Sequence, residues 1–153
     1  MLIEGASFYG TLDEGEAYFA TRLNAQAWDN SVVGDRTKAL YQATRAIDRL
    51  NFAGEKTDEA QELQFPRIDE TTIPVSVRAA AYECALKFLD GVDLDFEARD
   101  MGLGAITQGG ARTVFQEGVP QDHLRAGIPS VEAWLYLLPF LRDPGDFSVS
   151  RVS

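Results

Sequence analysis

One cysteine and one histidine are all this 153-residue chain has of the two side chains most used for metal capture and nucleophilic chemistry. Cys84 alone excludes an intrachain disulfide, and His123 alone excludes a histidine-rich metal cage. Long apolar runs are missing too. The longest stretch, "VEAWLYLLPFL", is broken by Glu132 and Pro139 and falls well short of the ~20 residues a membrane span needs. The opening "MLIEGASFYG" lacks the basic and apolar regions of a secretory signal, so folding in a cytoplasm is the expectation, with no membrane partner. Positive charge is also scarce: 14 Lys and Arg stand against 24 Asp and Glu, a net charge of −10. A surface this acidic repels nucleic acid at long range, which argues against a protein that coats DNA freely.

What is present is a helical pattern. Hydrophobic content of 45% and charged content of 25% are ordinary for a globular chain, and the length suits one core. Thr11 followed by Glu14 has capping-box spacing, and Leu12, Phe19 and Leu23 fall along one stripe. "NAQAWDN" reads as a short turn anchored by Trp28. Leu40, Ala43, Ile47 and Leu50 give residues 35–50 a helical apolar face, with Asp35 placed as the cap. A short helix can start at Thr57. Pro74 suits a first helical position, Val77, Ala81, Cys84, Ala85 and Phe88 form one apolar face, and Gly91 closes that helix. Between these helices Phe65 and Ile73 each precede a proline and are held extended. Phe65 reads as an apolar plug and Arg67 as the residue left facing out. After Gly91 glycine becomes frequent and helical periodicity fades. "AITQGGARTVF", residues 105–115, reads as a β-hairpin about Gly109-Gly110. Ser130 then caps a short terminal helix with Trp134, Leu135 and Leu138 on one face. The expected fold is mainly α: a small helical bundle over residues 1–100, then an extended C-terminal arm over 101–153 containing a β-hairpin and the short terminal helix. An arm of that kind needs a neighbour to lie on.

No catalytic constellation emerges, so the chain reads as not an enzyme, with no cofactor and no metal. Cys84 lies on an apolar helix face, where a cysteine behaves as a small hydrophobe. His123 follows "VPQD" in a loop and reads as a solvated or interface histidine. Asp93, Asp95 and Glu97 alternate like the start of an EF-hand loop, but Ala98 stands where that loop needs glycine and Gly104 where it needs glutamate. The glycine pair at 102–104 lacks the strand and third glycine of a dinucleotide site. Glu14 and Glu16 suit a helix start and make no acid–base pair. One feature is sharper. Residues 31–50 carry four cations against two carboxylates, the positive quarter of the chain. There Lys38, Arg45 and Arg49 share a helix face opposite the apolar stripe. An exposed solvated face is the bland account. A docking face for an acidic protein partner is favoured over a phosphate strip, because three charges without interleaved exposed aromatics make a poor single-strand platform.

"LYQATRAIDRLNFAGEKTDEAQELQFPR" and "IPVSVRAAAYECAL" carry a resemblance over roughly residues 8–90. Ala43 to Asp48, Gly54 to Thr57, Gln61 to Arg67 and the pair Ile73-Pro74 are its elements. In these the chain resembles a family of tailed-phage proteins that look like head-to-tail adaptor (head-completion) proteins. Some members carry the label DnaT-like single-stranded DNA-binding protein. The resemblance implies two functions. The first is a virion connector: a ring, twelvefold in that family, that joins the portal protein to tail or nozzle proteins in the neck and lets genomic DNA pass without sequence-specific binding. The second is a single-stranded DNA-binding accessory protein of replication. The acidic charge, the arm and the apolar C-terminal segment favour the connector. On that reading Lys38, Arg45, Arg49, Phe65, Arg67, Trp134, Leu135 and Leu138 are the interface residues.

Overall fold

The first helix starts where its capping spacing requires. The Thr11 hydroxyl accepts from the Glu14 backbone N–H at 2.9 Å, and α1 runs Leu12–Ala20. The computed structural model describes residues 7–93 and 120–142. A four-residue helix, α2 (Gln26–Asp29), follows and buries Trp28 completely. Phe19 is buried and Leu12 partly so, but Leu23, expected on the same stripe, is exposed because the helix ends before it.

The third helix, α3 (Val33–Asp48), buries Ala39, Leu40, Ala43, Thr44, Ala46 and Ile47. It begins earlier than expected: Val32 is its cap and Asp35 lies in its first turn, where a carboxylate favours the positive helix end. No helix forms at Thr57; residues 49–74 are turns and loops.

Helix α4 (Val75–Leu89) is the centre of the molecule. Pro74 is its cap and not its first residue, and Gly91, at φ +89°, lies just past its end. One apolar face was expected, yet α4 is buried nearly all round, from Val77 through Leu86 with Arg78 the exception. The reason is that several elements pack on it, α3 and the helix Val131–Leu137 most extensively and α1 and α2 besides. Ala79, Ala80, Ala81 and Ala85 on α4, with Ala39, Ala43 and Ala46 on α3, keep side chains small where helices must approach closely.

The C-terminal region corrects the expected architecture. Two further helices, α5 (Pro120–Arg125) and α6 (Val131–Leu137), lead into a 3₁₀ turn, Leu138–Phe140. Ser130 caps α6 as expected, accepting from the Ala133 N–H at 3.1 Å. This segment does not extend away. Ile128, Ala133, Trp134, Leu137 and Leu141 belong to the main core, and α6 packs on α4. Burying Trp134 and Leu137 contributes about 1.5–3 kcal/mol per side chain, which no solvated arm would gain. The end is stitched to the loop after α3: Ala53 N–H donates to Phe140 O at 2.9 Å and Arg142 N–H to Asn51 O at 3.0 Å. The described residues contain no β-strand, only isolated bridges Phe52–Leu141 and Lys56–Arg67. The expected hairpin at 105–115 lies outside the described residues. The fold is therefore mainly α, and a bundle with a hairpin-bearing extended arm is not its description.

Candidate functional site

Helical periodicity turns the buried side of α3 inward and leaves Lys38, Gln42, Arg45 and Arg49 exposed. Tyr41, half-buried, lies between them, three residues after Lys38 and four before Arg45. The Arg45 guanidinium carbon sits 5.9 Å from the Tyr41 ring centroid, within cation–π range. Phe8 meets the same ring edge-on at 5.0 Å. An aromatic is thus interleaved with the cations after all, held by one neighbour from α3 and one from the N-terminal segment. Tyr41 was in plain sight in the sequence at helical spacing from both charges. What sequence could not provide was Phe8, which fixes the ring at the surface from residues far along the chain.

The charges of this strip are uncompensated by ion pairs among the described residues. The ion pairs there are Arg22–Glu83 at 2.8 Å, Arg36–Glu16, and Arg78–Glu14 at 2.8 Å. Asp48, the carboxylate nearest in sequence to Arg49, accepts the Tyr9 hydroxyl. Burial pushes the Asp48 carboxyl up, against the bond from Tyr9 that lowers it. Arg49 reaches toward the α5–α6 turn: a side-chain carbon at Gly127 would lie 3.9 Å from Arg49 Nη1. Arg125, exposed at the end of α5, lies two residues before that glycine. From Lys38 to Arg49 the strip runs about 16 Å along the helix, the length of a few nucleotides.

The other expected interface residues fall elsewhere. Phe65 is buried and makes edge contacts with Tyr9, Phe52 and Phe140, as a plug should. Arg67 does not face out. Its side chain points inward, where Nε donates to Ala53 O at 3.0 Å and Nη1 to Gln64 O and Oε1 at 3.2 and 2.7 Å. Nη2 donates to Phe52 O and Gly54 O. Trp134 is in the core, Leu138 is half-buried, and Leu135 is exposed. His123 is buried, with Nδ1 2.7 Å from Ile128 O, and so is neither solvated nor free as a ligand. Cys84 is fully buried and its thiol is pushed up by that burial, the opposite of an activated nucleophile. Among the described residues no group of three or more His, Cys, Asp or Glu could hold a metal ion, and no helix is long and apolar enough to cross a membrane.

Residues 2–135 match the model of a protein family described as "Putative DnaT-like ssDNA binding protein". No curated protein and no solved structure matches the chain. The family description overturns the preference for a portal-to-tail connector and the head–tail vocabulary attached to it. The general repulsion argued from net charge was the weak step: it averaged over a surface whose charges are segregated, with α3 carrying the positive portion.

Proposed function

Because the chain belongs to this DnaT-like family, matched over most of its length, we propose that it is a single-stranded DNA-binding accessory protein of replication and that the outward face of α3 is its contact surface. The observation that carries the placement is Tyr41, framed by exposed Lys38 and Arg45 and backed by Phe8. A base stacks on the ring while neighbouring phosphates meet Lys38, Arg45 and Arg49. Stacking of this kind is tolerant of sequence, because every base has a π-face. Ring stacking and phosphate contacts carry no direct sequence information, so a contact built on them holds the strand and not its sequence. The net charge of −10 keeps the association short-ranged and sensitive to salt.

The test is fluorescence anisotropy of a labelled fifteen-nucleotide oligothymidylate at two salt concentrations. With three phosphate contacts, log K should fall against log salt with a slope of about −2, from the single-strand value of roughly −0.7 per contact. Tyr41→Leu keeps apolar contact with Phe8 but removes the stacking face, and should weaken binding by about five- to a hundredfold, equivalent to ~1–3 kcal/mol. Arg45→Gln should lessen the slope by about 0.7. Absence of binding at low salt, or equal binding by Tyr41→Leu, would overturn the assignment.

A further inference from the structure

Arg49 brings the exposed face of α3 to a second segment of the chain. Its guanidinium lies at the turn between α5 and α6, where a Cβ on Gly127 would sit at ordinary contact distance from Nη1, 3.9 Å. That turn is firmly closed. Gly127, at φ +87°, donates its N–H to Leu124 O at 3.0 Å, and Ile128 N–H donates to His123 O at 2.8 Å. These are the paired bonds that end a helix through a left-handed glycine. The His123 ring adds a third, Nδ1–H to Ile128 O at 2.7 Å, and both residues are buried. Arg125, by contrast, is exposed. Two peptide units separate it from Gly127, so their Cα atoms lie within about 7.6 Å of each other. Two exposed arginines from distant parts of the sequence therefore meet at one rigid turn.

Charge decides which way a strand leaves α3. At the N-terminal end the exposed Asp35 stands three residues before Lys38 on the same face and repels phosphate. At the C-terminal end Asp48 is engaged elsewhere: it accepts the Tyr9 hydroxyl, and the cations acting on it are Lys56 and Arg67. Glu132, at the start of α6, acts on Arg22. Among the described residues neither Arg49 nor Arg125 has an ion pair. Counted by sequence along this route, Lys38, Arg45, Arg49 and Arg125 stand against Asp35 and Asp122, so positive charge persists as far as the turn. We propose that a strand bound along α3 continues past Arg49 onto the α5–α6 turn, where Arg125 holds a further phosphate. This rests on the strand-binding reading of α3 and extends it: the site is built from two segments, kept together by the packing of α6 on α4. Arginine suits the position because its planar fork can bond a phosphate at two points. A cation at Arg125 also balances the negative end of α5, but only a phosphate contact changes the salt dependence of DNA binding.

The test uses the full chain and the same labelled fifteen-nucleotide oligothymidylate, with a thermal melt of every variant. Three contacts on α3 alone give a salt slope of about −2, and a fourth steepens it to about −2.8, at roughly −0.7 per contact. Arg125→Gln should return the slope to about −2 and weaken binding severalfold at low salt. Arg125→Lys, which keeps the charge, should retain the steeper slope. Arg142→Gln removes an exposed cation that lies off the route, beside Gly54 O, and should leave the slope at the wild-type value. A slope lessened by Arg45→Gln but not by Arg125→Gln would overturn the extension and leave the α3 site standing, whether or not the melting point falls. Equal losses from Arg125→Gln and Arg142→Gln would reveal a general charge effect and overturn it as well. Absence of binding by the wild-type protein would overturn the extension and the α3 site together.

Discussion

Replacing Arg67 with alanine is the most informative perturbation of the fold. The guanidinium gathers the carbonyls of Phe52, Ala53 and Gly54, three consecutive residues after α3, together with the main-chain and side-chain oxygens of Gln64. That clamps the loop after α3 to the loop before α4. The same residues hold the C-terminal end, through Ala53 N–H to Phe140 O and Arg142 to Gly54 O. Hydrogen bonds to a charged donor contribute about 1.5–3 kcal/mol each in favourable cases. Five cannot be summed at that rate, because carbonyls near the surface regain water once the side chain is gone. The carbonyl of Phe52, a residue almost wholly buried, does so least. A net loss of about 3–5 kcal/mol follows, comparable to removing one partner of a buried ion pair. At about 2–4 °C per kcal/mol for a chain of this size, the thermal midpoint should drop by roughly 6–20 °C. Arg67→Lys should recover only part, since an ammonium has three donors and no planar fork. Urea denaturation with both variants measures this. A loss below about 1 kcal/mol for alanine, or full recovery by lysine, would refute the clamp.

Four further outcomes follow from the packing and the titrating groups. Gly10, at φ +85°, faces Tyr82, and a Cβ there would lie 2.6 Å from the ring carbons Cε1 and Cζ; Gly10→Ala should destabilise by about 2–4 kcal/mol in the same denaturation assay, combining backbone strain with overpacking. Burial pushes the Glu14 carboxyl up, but the bonds from Arg78 and Tyr82 outweigh it and hold the group below its ordinary value. A depressed folded pKa stabilises above the unfolded pKa and is lost as pH falls through the folded one, so the stability gap between wild type and Tyr82→Phe should narrow on acidification below about pH 4.5. Asp48 has the opposite sign: its raised carboxyl weakens the fold at neutral pH, and Asp48→Asn should relieve a penalty that disappears in acid. Ellman's reagent should leave Cys84 untouched in the native protein and label it on unfolding; prompt stoichiometric labelling would contradict its burial.

Local chemistry made several elements legible before any coordinates. Thr11 and Ser130 cap helices where their spacing placed them, Trp28 anchors its short turn, and Leu40, Ala43 and Ile47 face the core. Each depends on residues within about four positions, the reach of a helical turn. Arg67 was misjudged because its acceptors come from residues 52–54 as well as from Gln64, and only the folded loop brings them together. Helix α5 and the inward return of residues 120–142 were missed for a related reason. Glycine-rich sequence weakens local periodicity, while the decisive contacts of that segment are with α4, far earlier in the chain. At the candidate site the three cations were legible and the aromatic beside them was not credited, because Phe8 secures it from outside the helix.

The enclosure of α4 bears on how the molecule is made. Most of its residues from Val77 to Leu86 are apolar or small, and part of their cover is α6, which a ribosome delivers some forty residues later. At about 5–20 residues per second a nascent chain carries that helix incompletely covered for several seconds. During that interval the polypeptide is a client for holdases and a target for proteases, whatever its final stability. A chain interrupted before Trp134 and Leu137 would not be a smaller working version of this protein but a persistent form of that vulnerable intermediate.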